Sequence, residues 1–269
     1  MHWAHATGFN AAAYLPLLAT FDPSLEVCAM DARGHGMSQA QAEPRKLGSW
    51  KVYRRDLARF LRSLGRPAVL AGHSLGATVS LELAAEHPDL VLGLLLVEPP
   101  LVDPQLRLQA TIAKRLGLSA RLPIARGAAA RRAEFPSREA AIENYLGRGV
   151  FKSWPREFVE AYVDGGTVET ASGSVRLSCE PAWESRTFAK WSTHPYRAIE
   201  RLRCPVTLMS GARDERPLGP KAIAKFVELC PEARVVSVPD AGHLLPMERP
   251  DLVRHELDAL LARVKTSQL

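Results

Sequence analysis

The segment Pro67–Ala84, PAVLAGHSLGATVSLELA, constrains the fold of this chain more than any other stretch. An apolar run ends in turn residues, and an amphipathic helical pattern follows at once. The join carries Gly72, His73, Ser74, Leu75 and Gly76, the pattern G-x-S-x-G. A serine in a strained strand-to-helix turn needs small neighbours two positions away on each side, because larger side chains would collide across the turn. The turn lifts the hydroxyl off the sheet, and the Leu75 backbone N–H at the start of the helix can donate to an oxyanion. Ser74 is therefore the candidate nucleophile, with a purely structural turn as the plainer alternative. His73 is expected to be packed or hydrogen-bonded away from the substrate.

The rest of the chain repeats the same rhythm. The runs EVCAMD, PAVLAG, LGLLLV, CPVTLM and ARVVSV are nearly continuous in apolar character, as strands covered on both faces must be. Helical patterns lie among them at AAAYLPLLATF, which Asn10 is placed to cap, and at SWKVYRRDLARFLRSL and LGATVSLELAAEH. Two more follow at PKAIAKFVEL and at PDLVRHELDALLARV, where Pro250 suits the first turn. This βα alternation predicts an α/β fold with a mostly parallel, doubly wound sheet.

The rhythm fails between about Pro99 and Pro195. There REAAIENYLGR, with Ser137 as its cap, and PREFVEAYVDGG read as helices, while SGSVRLSC reads as a short strand or loop. An insertion at this point would lie over the carboxyl ends of the strands, where open α/β sheets bind ligands. The expected division is a core of residues 1–99 and 196–269 with a helical cap of residues 100–195.

A chain of 269 residues with 46% hydrophobic side chains can bury one substantial core. No apolar run approaches the roughly 18 residues that a membrane span needs. No basic n-region leads into an apolar h-region either, so no secretory signal is expected. The four cysteines, Cys28, Cys179, Cys204 and Cys230, are widely spaced without C-x-x-C; they read as reduced thiols in a cytoplasmic protein, with no metal expected. Net charge is +6, and Arg107 to Arg132 carries seven Lys or Arg and no acidic residue. Without an aromatic platform or zinc-finger spacing, this run reads as a solvated helical face or a device for steering anions, not as a nucleic-acid surface.

A serine nucleophile needs a base, and the base needs an orienting carboxylate. His243, in VVSVPDAGHLLPMERP, follows the last strand, and Asp214, in VTLMSGARDERPLGP, follows the strand before it. The order Ser74, Asp214, His243 makes them the expected triad. Asp240 is the nearer carboxylate in sequence but is expected to brace its loop. Glu98 ends the strand LGLLLV and could also point into the site, either in place of Asp214 or as a group on the substrate side.

The segments HATG, DARGHGMS, GHSLG, SGARD and DAGH, in this order across residues 5–243, resemble those of the α/β-hydrolase superfamily, in a form with a serine nucleophile and a helical cap. The resemblance implies that Asp31 and Arg33 brace loops around the site and that His35 is not catalytic. It also implies that His5-Ala6-Thr7-Gly8 is the oxyanion loop, making Thr7 the second backbone donor, although Ala6 stands where relatives usually have glycine. The first residues would then be an interior strand, with the N-terminal hairpin of relatives absent and the exposed sheet edge covered by a neighbour or a second chain.

Serine rather than aspartate as nucleophile points to acyl chemistry without a cofactor. The expected function is hydrolysis of a small carboxylic ester, lactone or thioester through an acyl-enzyme. The alternatives are carbon–carbon bond hydrolysis of ring-cleavage products, cofactor-free haloperoxidase activity, and a non-enzymatic ligand-binding role. The expected partner is a small acyl substrate, which a basic cap would allow to be anionic. Neither nucleic acid nor a membrane is expected, and the protein is read as a monomer or homodimer. The cap residues Phe135, Tyr145, Phe151, Trp154, Tyr162 and Phe188 supply apolar material either for a pocket or for attachment to the core.

Overall fold

A computed structural model describes residues 1–192, 195–213 and 218–267. The first half of the core runs through β1 (His2–Ala4), α1 (Leu15–Leu18), β2 (Cys28–Ala29), α2 (Lys51–Ser63), β3 (Ala68–His73), α3 (Leu75–Glu86) and β4 (Val91–Val97). An inserted region then supplies α4 (Arg107–Arg115), α5 (Pro123–Ala129), β5 (Glu134–Phe135), α6 (Arg138–Tyr145), α7 (Arg156–Gly166), β6 (Thr167–Glu169), β7 (Val175–Leu177) and α8 (Pro181–Ala189). The core resumes with α9 (Pro195–Ile199), β8 (Val206–Gly211), α10 (Pro220–Leu229), β9 (Arg234–Val238), α11 (Leu245–Glu248) and α12 (Pro250–Ser267).

The core sheet has the order β2-β1-β3-β4-β8-β9, and every pairing in it is parallel. Trp3, Tyr14, Leu95, Leu257 and Leu260 pack on one face, and α2, α3 and α10 cover the other through Leu57, Leu81 and Phe226. This is the mostly parallel α/β sheet with an inserted helical region that the strand–helix rhythm predicts. The helix after the elbow departs from expectation: α3 is buried along Leu75–Ala85 rather than amphipathic, because the sheet lies under it and α2 and α9 pack over it.

Two local expectations are also modified. The pattern at AAAYLPLLATF forms a 3-10 turn at Ala12–Tyr14 followed by the single turn of α1, and Asn10 still accepts from the Ala13 N–H at 2.9 Å. The insertion contains a three-stranded antiparallel sheet, β5-β7-β6, of which only SGSVRLSC suggested a strand. Ser137 does cap α6, accepting from the Ala140 N–H at 3.1 Å. The insertion attaches to the core through α7 and α8: Asn10 Nδ2 donates to the Tyr162 carbonyl at 2.9 Å, Trp50 Nε1 donates to the Thr187 carbonyl at 2.9 Å, and Trp183 Nε1 donates to the Arg33 carbonyl at 3.0 Å.

Candidate active site

Ser74 stands between the end of β3 and the start of α3 with φ 53° and ψ −113°, one of two non-glycine residues at positive φ among those described. Its N–H donates to the Val97 carbonyl at 2.9 Å, which ties the turn to β4. A Cβ on Gly76 would overlap the Ala4 carbonyl, so the second glycine of the elbow is required for β1 to pass this closely. The Ser74 side chain therefore emerges at the carboxyl ends of the strands, beneath the inserted region.

The other non-glycine residue at positive φ is Glu98, at φ 50°, immediately after β4. That backbone turn carries its carboxylate across the strand ends while leaving the residue fully buried. Glu98 Oε1 accepts from the Gly211 N–H at 2.6 Å, and Oε2 lies 3.2 Å from His243 Nδ1. His243 Nε2 lies 3.1 Å from Ser74 Oγ. One imidazole thus bridges a buried carboxylate and a strained serine. Nδ1–H donates to Glu98, which leaves Nε2 to accept the serine hydroxyl. Asp214, the expected orienting acid, lies outside the described residues, and Asp240 pairs with Arg249 at 2.9 Å rather than with His243.

His73 has the packed role expected of it and also a structural one. It is fully buried, and burial holds its imidazole well below the usual histidine range. Nε2 lies 2.7 Å from the His243 carbonyl, which can only accept, so the Nε2 position carries the proton. Nδ1 must then accept from the Tyr14 hydroxyl at 2.8 Å, and that hydroxyl accepts from the Ala6 N–H at 3.1 Å. One chain of hydrogen bonds therefore links the His243 loop to the Ala6-Thr7 loop. No motif in the sequence singled out Tyr14.

The neighbouring loops are braced by buried groups. His5 Nε2 accepts from the Ala32 N–H at 2.9 Å, so its Nδ1–H donates to the Ala6 carbonyl at 2.7 Å. Asp31 accepts from Ala11 at 2.7 Å and from Met37 at 2.8 Å, while Arg33 makes a two-point pair with Asp56 at 2.9 and 3.0 Å. His35 is buried beside His5, away from Ser74, with its pKa lowered to about 3 by burial.

A cavity of about 490 Å³ lies between these groups and the inserted region. Ser74, His243, Thr7 and Phe9 form its floor, and the inserted region contributes Phe151, Phe188 and Ile124 among its apolar walls. The N–H groups of Thr7 and Leu75 have no hydrogen-bond partner among the described residues. Arg131 also borders the cavity, but its charge is already answered: it donates to Glu184 at 2.6 Å, to Tyr162 at 2.6 Å and to Tyr145 at 3.2 Å. Burial alone would lower the Arg131 pKa, yet Tyr162 and Glu184 outweigh it and raise the value. Burial lifts Glu184 above the ordinary carboxylate range, against the pull of Arg131. Glu184 packs directly on Gly8, and the Tyr162 hydroxyl donates to the Gly8 carbonyl at 3.3 Å, so this cluster touches the loop that carries Thr7. Arg148, at the cavity edge, has no side-chain partner among the described residues.

Residues 2–256 match the profile of the alpha/beta hydrolase family. The chain is 26% identical over 253 residues to the 2-(acetamidomethylene)succinate hydrolase of Mesorhizobium japonicum, covering 94% of this chain and 84% of that protein. It is 27% identical over 263 residues to a mouse (Mus musculus) sn-1-specific diacylglycerol lipase, covering 95% of this chain and 77% of that protein. Among solved structures, an E-2-(acetamidomethylene)succinate hydrolase superposes with a TM-score of 0.78 at 24% identity, over 97% of this chain and 91% of that one.

Proposed function

Because the chain belongs to the alpha/beta hydrolase family, we propose that it is a serine hydrolase in which Ser74 is the nucleophile, His243 the base and Glu98 the carboxylate that orients the base. The observation that carries this reading is the pair of contacts made by the His243 ring, 3.1 Å to Ser74 Oγ and 3.2 Å to Glu98 Oε2. As Ser74 attacks a substrate carbonyl, His243 takes its proton, and buried Glu98 stabilises the imidazolium that forms. The N–H groups of Thr7 and Leu75 receive the developing oxyanion. His243 then returns the proton to the leaving group, and a water that it activates releases the acyl group.

The substrate class is a small ester, lactone or thioester with an apolar acyl part, which the aromatic walls would hold. Of the two arginines at the cavity, Arg131 is neutralised by Glu184, so Arg148 alone is free to meet a substrate carboxylate. This supports an uncharged or singly charged substrate over a highly acidic one. The named activities of the relatives, on a succinate derivative and on a diacylglycerol, put a carboxylated ester and a glycerolipid into the same assay panel as simple p-nitrophenyl esters.

Fluorophosphonate labelling tests the nucleophile: wild type is expected to form an adduct that Ser74→Ala abolishes, and a folded protein that never labels would sink the reading. The orienting acid is tested by Glu98→Gln and Asp214→Asn. The first is expected to lower kcat on the order of 10³- to 10⁴-fold by removing the carboxylate that fixes the imidazole tautomer. The second should change it little, and the reverse pattern would give the role to Asp214.

A further inference from the structure

The inserted region carries an amphipathic helix turned outward. In α4 and just past its end, Leu108, Ile112 and Leu116 repeat at four-residue spacing and so form one stripe. On a helix packed against a core, such a stripe faces inward. Here Leu108 is 71% exposed, Leu116 69% and Ile112 48%, while Ala110, Thr111, Ala113 and Lys114 on the other side are half-buried. Lys114 Nζ is directed inward, donating to the Trp191 carbonyl. Eleven large apolar side chains are exposed among the described residues, and seven of them fall between Leu106 and Ile124, which makes this a patch rather than scatter. Arg115, Arg121 and Arg126 are exposed within it and have no side-chain partner among the described residues. Ile124 also lines the cavity above Ser74, so the patch runs up to the substrate cavity.

We propose that this face docks reversibly on an anionic lipid surface, with α4 in the plane of the headgroups, its leucines inserted and its arginines among the phosphates. Charge selects this occupant. A second copy of the chain would bring two stretches that lack any acidic residue from Arg107 to Arg132 into contact across a two-fold axis, and like charges would oppose each other. A neutral surface would leave the arginines unanswered. An outward apolar stripe flanked by cations is the pattern of a helix that lies in a membrane interface. No described helix is long and apolar enough to cross a membrane, and docking requires none. The proposal thus amends the expectation of no membrane partner, which was drawn from the absence of a spanning segment. It does not depend on the assignment of the triad.

Cosedimentation of the full chain with vesicles of phosphatidylcholine alone, or mixed with phosphatidylglycerol, tests the proposal. Wild type is expected to bind the mixed vesicles at low salt, to leave them at high salt, and to ignore the neutral ones. Each of Arg115→Gln, Arg121→Gln and Arg126→Gln should weaken partitioning by roughly fivefold, and all three together on the order of a hundredfold. The triple change Leu108→Gln, Ile112→Gln, Leu116→Gln should also release the protein, while hydrolysis of a soluble ester stays unchanged in both sets and reports that they are folded. Failure of wild type to bind mixed vesicles, equal binding to neutral ones, or binding that survives both triple variants would overturn the proposal. So would light scattering that shows a dimer dependent on the three apolar residues, which would assign the face to a second copy. Capture by polyglutamate without vesicle binding would assign it to an acidic protein and overturn the proposal equally.

Discussion

At the scale of single residues, the candidate site depends on buried polar groups that satisfy one another in series. The Tyr14 hydroxyl accepts from Ala6 N–H and donates to His73, which holds the carbonyl of His243. Tyr14→Phe removes the middle of this series and leaves a buried N–H and a buried ring nitrogen without partners. A loss of about 1–3 kcal/mol in stability is expected, read from urea unfolding. Because Ala6 precedes the proposed donor Thr7, kcat for a soluble ester should fall by roughly ten- to hundredfold while KM changes less. An unchanged kcat in a destabilised variant would confine Tyr14 to a packing role. The sequence displayed Ser74 and His243 through their motifs, but not Tyr14 or the direction of Glu98. G-x-S-x-G is legible because steric crowding demands glycine, whereas the turn at Glu98 rests on a positive φ that its residue type does not announce.

At the scale of elements, the core strands were legible, although EVCAMD yields only the two residues of β2, and the short strands of the insertion were not. Strands β3, β4 and β8 are six or seven residues long and mostly apolar, which is enough to register. Strands β5, β6 and β7 have two or three residues each, too few for alternation to stand out. The pairing of Arg131, just after α5, with Glu184 in α8 was equally invisible, since 53 residues separate the partners and no local pattern connects them. That pair predicts a coupling between elements. Arg131→Met alone leaves Glu184 buried without its cation, and a loss of about 3–5 kcal/mol is expected in thermal or urea unfolding. Combining it with Glu184→Met should restore much of that stability, because neither charge is then stranded. If the two single losses simply add in the double variant, the ion pair is not what joins α5 to α8.

At the scale of the whole molecule, the distribution of buried histidines decides how the fold responds to acid. His2 and His35 are both buried, and burial lowers each pKa from the ordinary value of 6.5 to about 3. His5 and His73 shift in the same direction for the same cause. An unfolded chain would protonate these rings near pH 6.5, whereas the folded chain resists protonation until much lower pH. Between those limits the unfolded state binds more protons, so stability is complete above about pH 6.5 and is lost as pH falls. Each such histidine contributes up to about 1.4 kcal/mol per pH unit well inside that window and less near its upper edge, so His2 and His35 together remove roughly 3 kcal/mol between pH 6.5 and pH 5. Urea midpoints at pH 7, 6 and 5 should therefore decline steeply. His35→Phe should flatten the decline in proportion to one ring, even if it lowers stability at pH 7 through imperfect packing. A midpoint that holds constant from pH 7 to pH 5 would mean that the folded chain takes up protons over that range as readily as the unfolded one, against the lowered values of these rings.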